Sequence, residues 1–350
     1  MLLGVPAAAA EPDPASEREF FGLLRVRDLT PFGFRRLDMR QSPAAFAPPD
    51  GPSIEFDLGY QNTWSLSSNV DKYLRARTQR GPLTQADAAA IRAMGGEDYL
   101  VDLELALIDI AFNYRITERI GGFVVLSGAS YTGGFLDGFV EGFHSAFGFG
   151  SAARPGLDRN QINVLIDLKG QQVTLLDAPA NSGVLDPVIG LRYAVARDPS
   201  FANLVFETAI KVPLGRQGLY STNRVDVGTQ LTLQAFHRRN AWYASAAAVY
   251  FSGSEGLFPS PAMLVPTAVV GYEYRWLENT NLIAQFYASR STFTAQQTDL
   301  AELRGNKFQL SLGVRHRLPH GFWSFAFTEN LRNFNNTPDI GFQFGLGQTF

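Results

Sequence analysis

Residues 339–350 read DIGFQFGLGQTF and close the chain. Ile340, Phe342, Phe344 and Leu346 stand at every second position, and Phe350 follows in the same phase. Between them lie Gly341, Gln343, Gly345, Gly347 and Thr349. Period two belongs to a β-strand, whose successive side chains point to opposite faces. One face of this strand is apolar and the other is small or polar. Soluble strands average about five or six residues, whereas a strand that crosses a bilayer needs about 9–11. The twelve residues here meet the second requirement.

The terminal aromatic with alternating apolar residues resembles the C-terminal signal read by bacterial barrel-assembly machinery. Phe342, Phe344, Leu346 and Phe350 carry the resemblance, and Gln348 departs from it, since an apolar residue is usual there. The same alternation recurs upstream. SIEFDLGYQNTW (53–64) sets Ile54, Phe56, Leu58 and Tyr60 against Glu55, Asp57, Gly59 and Gln61. RVDVGTQLTLQ (224–234) sets Val225, Val227, Leu231 and Leu233 against Asp226, Gly228, Gln230 and Gln234.

About twelve segments share this pattern: 53–65, 99–115, 120–131, 185–196, 201–212, 224–237, 241–251, 265–276, 282–290, 307–317, 322–330 and 339–350. Their connections alternate in length. Residues 116–119, 197–200, 238–240, 277–281 and 318–321 are short turns; 66–98, 132–184, 213–223, 252–264, 291–306 and 331–338 are longer. An even number of strands with loops sorted by end is the pattern of an outer-membrane barrel. A soluble β-sandwich, the alternative, has no reason to sort its loops. The expected fold is therefore an all-β membrane protein, a twelve-stranded antiparallel transmembrane barrel over residues 53–350. Tyr114, Tyr193, Trp242, Trp276 and Trp323 fall beside short turns, where amphipathic rings suit the headgroup level. Trp64 and Tyr131 fall near the long-loop rim.

Composition agrees. A net charge of −3 gives no basic stripe and argues against nucleic acid as a partner. The chain has no Cys, which excludes disulfides and thiolate metal sites. MLLGVPAAAA (1–10) ends in Ala8-Ala9-Ala10 and reads as the remnant of a secretory signal peptide, with no Lys or Arg before it. Residues 11–52 then form an N-terminal segment that either plugs the lumen or hangs as a periplasmic tail. Its part FFGLLRVRDLTPFGFRRLDMRQSPAAFAPPD (20–50) mixes aromatics, Arg and Pro without a clean period.

One stretch breaks the period of two. GGFLDGFVEGFHSAFGFG (133–150) repeats a small residue and a Phe every four positions from Gly134. Four residues advance a helix by about 400°, so Phe135, Phe139, Phe143 and Phe147 form one ridge. Gly134, Gly138, Gly142 and Ala146 form a second ridge. Asp137, Glu141 and His144 occupy the remaining stripe. Two interior glycines cost about 2 kcal/mol of helix propensity. The expected compensation is close packing of the glycine ridge on the barrel wall or rim, within loop 132–184. The Phe ridge would then bind lipid at the outer interface or a small apolar or amphipathic ligand over the lumen.

This stretch, with SGVLDPVIGLRYAV (182–195) behind it, resembles an uncharacterised family of proteobacterial proteins with a GGFLDGFxEGFHxAFG motif, a domain of unknown function. The resemblance implies export to the outer membrane. It implies no activity, substrate or cofactor.

Glu141 and His144 have the Glu-x-x-His spacing of carboxylate metal sites. With Asp137 they could bind a divalent ion or serve as acid and base; the bland alternative is a polar helix face bonded to the rim. No G-x-S-x-G or H-E-x-x-H motif occurs, and no cofactor is expected. The inward faces are expected to carry Glu55, Asp57, Asp102, Glu104, Glu207, Asp226 and Glu273, with Arg192, Lys211, Arg275 and Arg315. A wide water channel would be lined this way, and so would a narrow lumen closed by ion pairs. The functional expectation is a channel or transporter for a small apolar or amphipathic solute. The alternatives are a lipid-modifying enzyme and a structural protein that binds a partner. Expected partners are outer-membrane lipids and the barrel-assembly machinery.

Overall fold

The computed structural model describes residues 20–43, 52–148, 150, 153–198, 202–215, 218–255, 259–332 and 336–350. The signal-peptide expectation for residues 1–10 lies outside them. Fifteen strands make one sheet. They are β1 (Ser53–Leu66), β2 (Asp98–Arg115), β3 (Ile120–Thr132), β4 (Asn163–Leu168), β5 (Gln171–Leu175), β6 (Asn181–Val184), β7 (Val188–Asp198) and β8 (Ala202–Lys211). The rest are β9 (Asp226–His237), β10 (Asn240–Phe251), β11 (Met263–Leu277), β12 (Thr280–Ser289), β13 (Lys307–Leu318), β14 (Gly321–Arg332) and β15 (Ile340–Thr349).

Twelve of these, all but β4, β5 and β6, pair antiparallel with their neighbours in a ring. β15 closes it on β1, from Ser53 opposite Thr349 to Gln61 opposite Gly341. Closure leaves no wall edge unpaired, the condition for backbone in a bilayer. All twelve sequence-predicted segments match strands of this ring, with ends shifted by a few residues. No helix among the described residues is long and apolar enough to cross a membrane.

Alternation sorts the wall. Leu231, Leu233, Leu312 and Phe344 are each more than 40% exposed, while Gln230, Gln234, Gln309 and Ser311 on the opposite face are buried. Tyr114, Tyr193, Trp242 and Trp276 are exposed beside the short turns. Trp64 and Tyr131 lie near the long-loop rim, as expected, but neither is exposed there. Trp64 is covered by the long loops, with the Arg154 guanidinium 4.7 Å from its ring. Tyr131 points inward, edge-on to Phe34.

The long-loop end carries the remaining elements. β4 and β5 form a hairpin that extends β2 beyond the ring, and β6 extends β3. Sequence reading missed these three because they are four to six residues long inside a loop. Two helices, α1 (Ser68–Arg75) and α2 (Gln85–Arg92), pack through Val70, Leu74, Ala88 and Ile91 on Trp64, Leu66 and Leu100. The second starts from a capping box formed by Thr84 and Asp87.

Candidate functional site

Residues 20–43 lie inside the barrel as a hairpin. Gly22 bridges Pro43, Gln41 Nε2 donates to the Val26 carbonyl at 2.9 Å, and Asp28 N donates to the Asp38 carboxylate at 3.1 Å. Pro31 to Arg36 make the turn, with Phe34 N donating to the Thr30 carbonyl at 3.1 Å. The turn sits towards the long loops, where Phe32 meets Phe293 and Phe34 meets Tyr220. The open end sits towards the short turns, where Phe20 stacks on Phe236 and Phe21 meets Phe322.

The wall holds this hairpin by polar and apolar contacts together. Arg40 pairs with Asp57 at 2.7 Å and Glu55 at 3.1 Å, and Arg25 pairs with Glu55 at 3.2 Å. Lys307 Nζ reaches Asp28 at 2.7 Å and Thr30 Oγ1 at 2.9 Å. Arg315 donates to the Gly22 carbonyl at 2.7 Å, and Asp226 accepts from Leu37 N at 2.9 Å. Glu273 accepts from the Phe21 and Gly22 amides at 3.2 and 3.1 Å. Of the inward charges expected from alternation, Glu55, Asp57, Asp226, Glu273 and Arg315 thus meet partners on a segment outside the sheet, while Arg192 pairs with Glu207 and Lys211 with Asp226 within the wall. Apolar packing runs along the rest of its length: Leu23, Leu24 and Val26 cluster with Phe236, Val269 and Ile283 near the open end, Leu37 and Met39 with Phe123, Val125 and Val249, and Leu29, Phe32 and Phe34 with Leu103, Leu105, Leu107 and Tyr131 beside the turn. Two cavities flank the hairpin, each of about 20 Å³. Such a volume holds about one water molecule.

The Gly/Phe stretch is helical, as expected: α3 spans Asp137–Phe147 and ends on Gly148 in the left-handed region, at φ +74°. It lies against the outward faces of β1, β14 and β15 at the long-loop rim. Leu136, Val140 and Phe143 pack on Tyr60, Phe327, Ile340 and Phe342. Phe135, Phe139 and Phe147 are exposed, and Phe143 is wedged between Phe147 and Phe327. The ridge therefore faces outward, and its expected alternative, an apolar pocket over the lumen, is not what it lines.

The glycine expectation fails at two positions and succeeds elsewhere. A Cβ on Gly142 would meet nothing within 4 Å, and one on Gly138 only Arg159 at 3.8 Å. The close approach is instead at Gly134, where φ is +75° and a Cβ would stand 1.8 Å from the Glu104 carboxyl carbon. That carboxylate accepts from Phe135 N at 3.0 Å and Leu136 N at 2.7 Å. It caps α3 from the wall, where a helix N-terminus favours an anion. Glu104 and Asp102 share the outward phase of Ile108 and Phe112, contrary to their inward assignment; long loops cover them.

The polar stripe is drawn into a buried network. Asp137 accepts from Arg154 Nη1 at 2.8 Å, Asn160 N at 2.8 Å and Asn62 Nδ2 at 3.2 Å. Arg154 also donates to Asp339 at 2.7 Å and to Asn62 Oδ1 at 2.7 Å. His144 Nε2 lies 3.3 Å from Asp339 Oδ1. Glu141 is held by Arg80 at 2.7 Å and by Arg159. Burial raises the Glu141 carboxyl, but the hydrogen bonds from Arg159 and Arg80 outweigh it and hold the group below its ordinary value. Burial likewise raises Asp339, and His144 with Arg154 brings it below. Asp137, Glu141 and His144 do share a neighbourhood, yet both acids are engaged by guanidinium groups. Arg154, Asp339 and Glu329, which complete the cluster, lack any periodic or spacing signal because they come from three separate segments. Phe344, Leu346 and Phe350 of the C-terminal signal are exposed on the outer wall, and α3 covers Phe342.

Among solved structures, the COG4313 outer membrane channel from Pseudomonas putida F1 matches at a TM-score of 0.53 and 12% identity, covering 87% of this chain and 97% of that one. The P. putida toluene transporter TodX matches at a TM-score of 0.39 and 13% identity, over 87% and 91% of the two chains. A Pseudomonas aeruginosa FadL homologue matches at 0.38 and 12%, over 95% and 99%. The first likeness is one of fold. A search of the curated proteins found no match. A family model matches residues 50–350, so that the chain belongs to the family described as protein of unknown function (DUF3187).

Proposed function

We propose that this protein is a gated outer-membrane channel for a small apolar or amphipathic solute, with residues 20–43 as its plug. The carrying observation is the polar seat of that hairpin. A barrel built only for stability can fill its lumen from its own wall. Here Glu55, Asp57, Lys307 and Arg315 bond to a segment whose two ends lie at one rim, and Asp226 and Glu273 divide their bonds between that segment and the wall. Ion pairs and amide bonds are contacts that water can replace, so departure of the hairpin leaves charged groups that hold water beside apolar stretches of wall. The apolar stretches of the lumen wall suit the tail of an amphipathic solute. The fold shared with an outer membrane channel supports the reading. Outer-membrane lipids would surround the wall, and the barrel-assembly machinery would read Phe342, Phe344, Leu346 and Phe350.

The chain has no Cys, which makes the test clean. Ser42 Oγ lies 3.1 Å from Thr232 Oγ1 on the wall. The Ser42→Cys/Thr232→Cys pair should tether the hairpin when oxidised. In planar bilayers, the reduced protein should show gated conductance that oxidation abolishes and reductant restores. Absence of conductance or solute entry in the reduced protein would refute the reading.

A further inference from the structure

We propose that His144, Glu329 and Asp339 form a divalent cation site of the zinc class, which staples α3 to the outer wall. The three residues come from α3, from the end of β14 and from the residue before β15. One ligand atom from each lies within 4.8 Å of the others. His144 Nε2 and Asp339 Oδ1 are 3.3 Å apart. Two donors at about 2.0–2.1 Å from one tetrahedral ion stand about 3.3–3.4 Å apart. Asp339 turns its other oxygen to Arg154, which orients the carboxylate and leaves Oδ1 for His144. Arg154 also serves Asp137, so its charge is already divided between two acids. Glu329 brings a second carboxyl to the site. Its Oε2 is shielded from solvent and accepts no hydrogen bond from a described residue. Two carboxylates in one half-buried site repel unless a proton or a cation stands between them. The imidazole favours a metal of the zinc class over calcium or magnesium, which prefer oxygen donors throughout.

The chelator-treated full chain, folded in detergent, should bind one Zn²⁺ in equilibrium dialysis, with Ca²⁺ and Mg²⁺ far weaker. Co²⁺ in its place should give the intense visible absorption of a four-coordinate site. Glu329→Gln and His144→Gln should each weaken Zn²⁺ binding by more than about tenfold. Zn²⁺ should protect loop 132–184 from protease in the parent and not in these variants. Changing His237, His316 and His320 together to Gln should leave binding intact. The proposal falls if the parent binds no stoichiometric Zn²⁺, if Glu329→Gln binds as tightly as the parent, or if the triple variant loses the ion.

Discussion

At the scale of single residues, Gly134 carries more of the loop's geometry than the two glycines inside the helix. A side chain there meets a φ of +75° and the Glu104 carboxylate together. The backbone term costs about 1–2 kcal/mol. A displaced Glu104 also gives up its bonds to the Phe135 and Leu136 amides, about 1–3 kcal/mol where the freed groups stay buried. Gly134→Ala should therefore expose loop 132–184 to protease while the barrel still migrates in its folded, heat-modifiable form. Gly142→Ala has open space before it and gains about 1 kcal/mol of helix propensity. The same digestion should find that variant at least as protected as the parent. Equal loss in both would mean that backbone freedom, not Glu104, decides the loop.

At the scale of an element, α3 is bound to the wall by apolar packing on one side and by carboxylates at both ends. Its seat should be sensitive to acid. Glu141 and Asp339 both lie below their ordinary values in the folded protein. A lowered carboxyl adds stability that is present above its unfolded pKa and is lost as the pH falls through the folded value. The unfolded values are about 4, so protection of loop 132–184 should hold from about pH 8 to 5 and fade below about pH 4. Glu141→Gln should flatten part of that loss. Full protection at low pH would show that apolar packing alone seats the helix. The twelve wall strands were legible because one dry face and one wet face repeat every second residue along each of them. The same rule misassigned Asp102 and Glu104, since β2 runs past the bilayer and its outward face there is covered by protein instead of lipid.

At the scale of the whole molecule, barrel and hairpin depend on each other unequally. The wall closes through its own ladder, whereas residues 20–43 are held by the wall. Lys307 and Asp28 are both almost fully buried and 2.7 Å apart. Removing Lys307 leaves the buried Asp28 with Arg36 at 3.5 Å as its remaining cation, and breaking a buried pair costs up to roughly 3–5 kcal/mol. Lys307→Met should release that cost into the seat of the hairpin, opening residues 20–43 to protease and raising the open probability in bilayers. Adding Asp28→Asn should restore much of the closed state. If Lys307→Met alone leaves both readouts unchanged, the hairpin is not the gate.

Strand number, loop sorting, the girdle beside the short turns and the helical phase of residues 137–147 were written in the sequence, because each follows from a local period of two or four. Local periods state which residues share a face. They do not state what covers that face. Whether residues 20–43 entered the lumen, whether the Phe ridge turned inward or outward, and which acids met Arg154 were decided only by closure of the ring. Closure brings β1 beside β15, sets Asn62, Asp137 and Asp339 around one guanidinium, and leaves a lumen whose charges need partners. Burying those charges unpaired would cost several kcal/mol each. The segment that satisfies them shows no period of its own, and its place became visible only once the wall around it was complete.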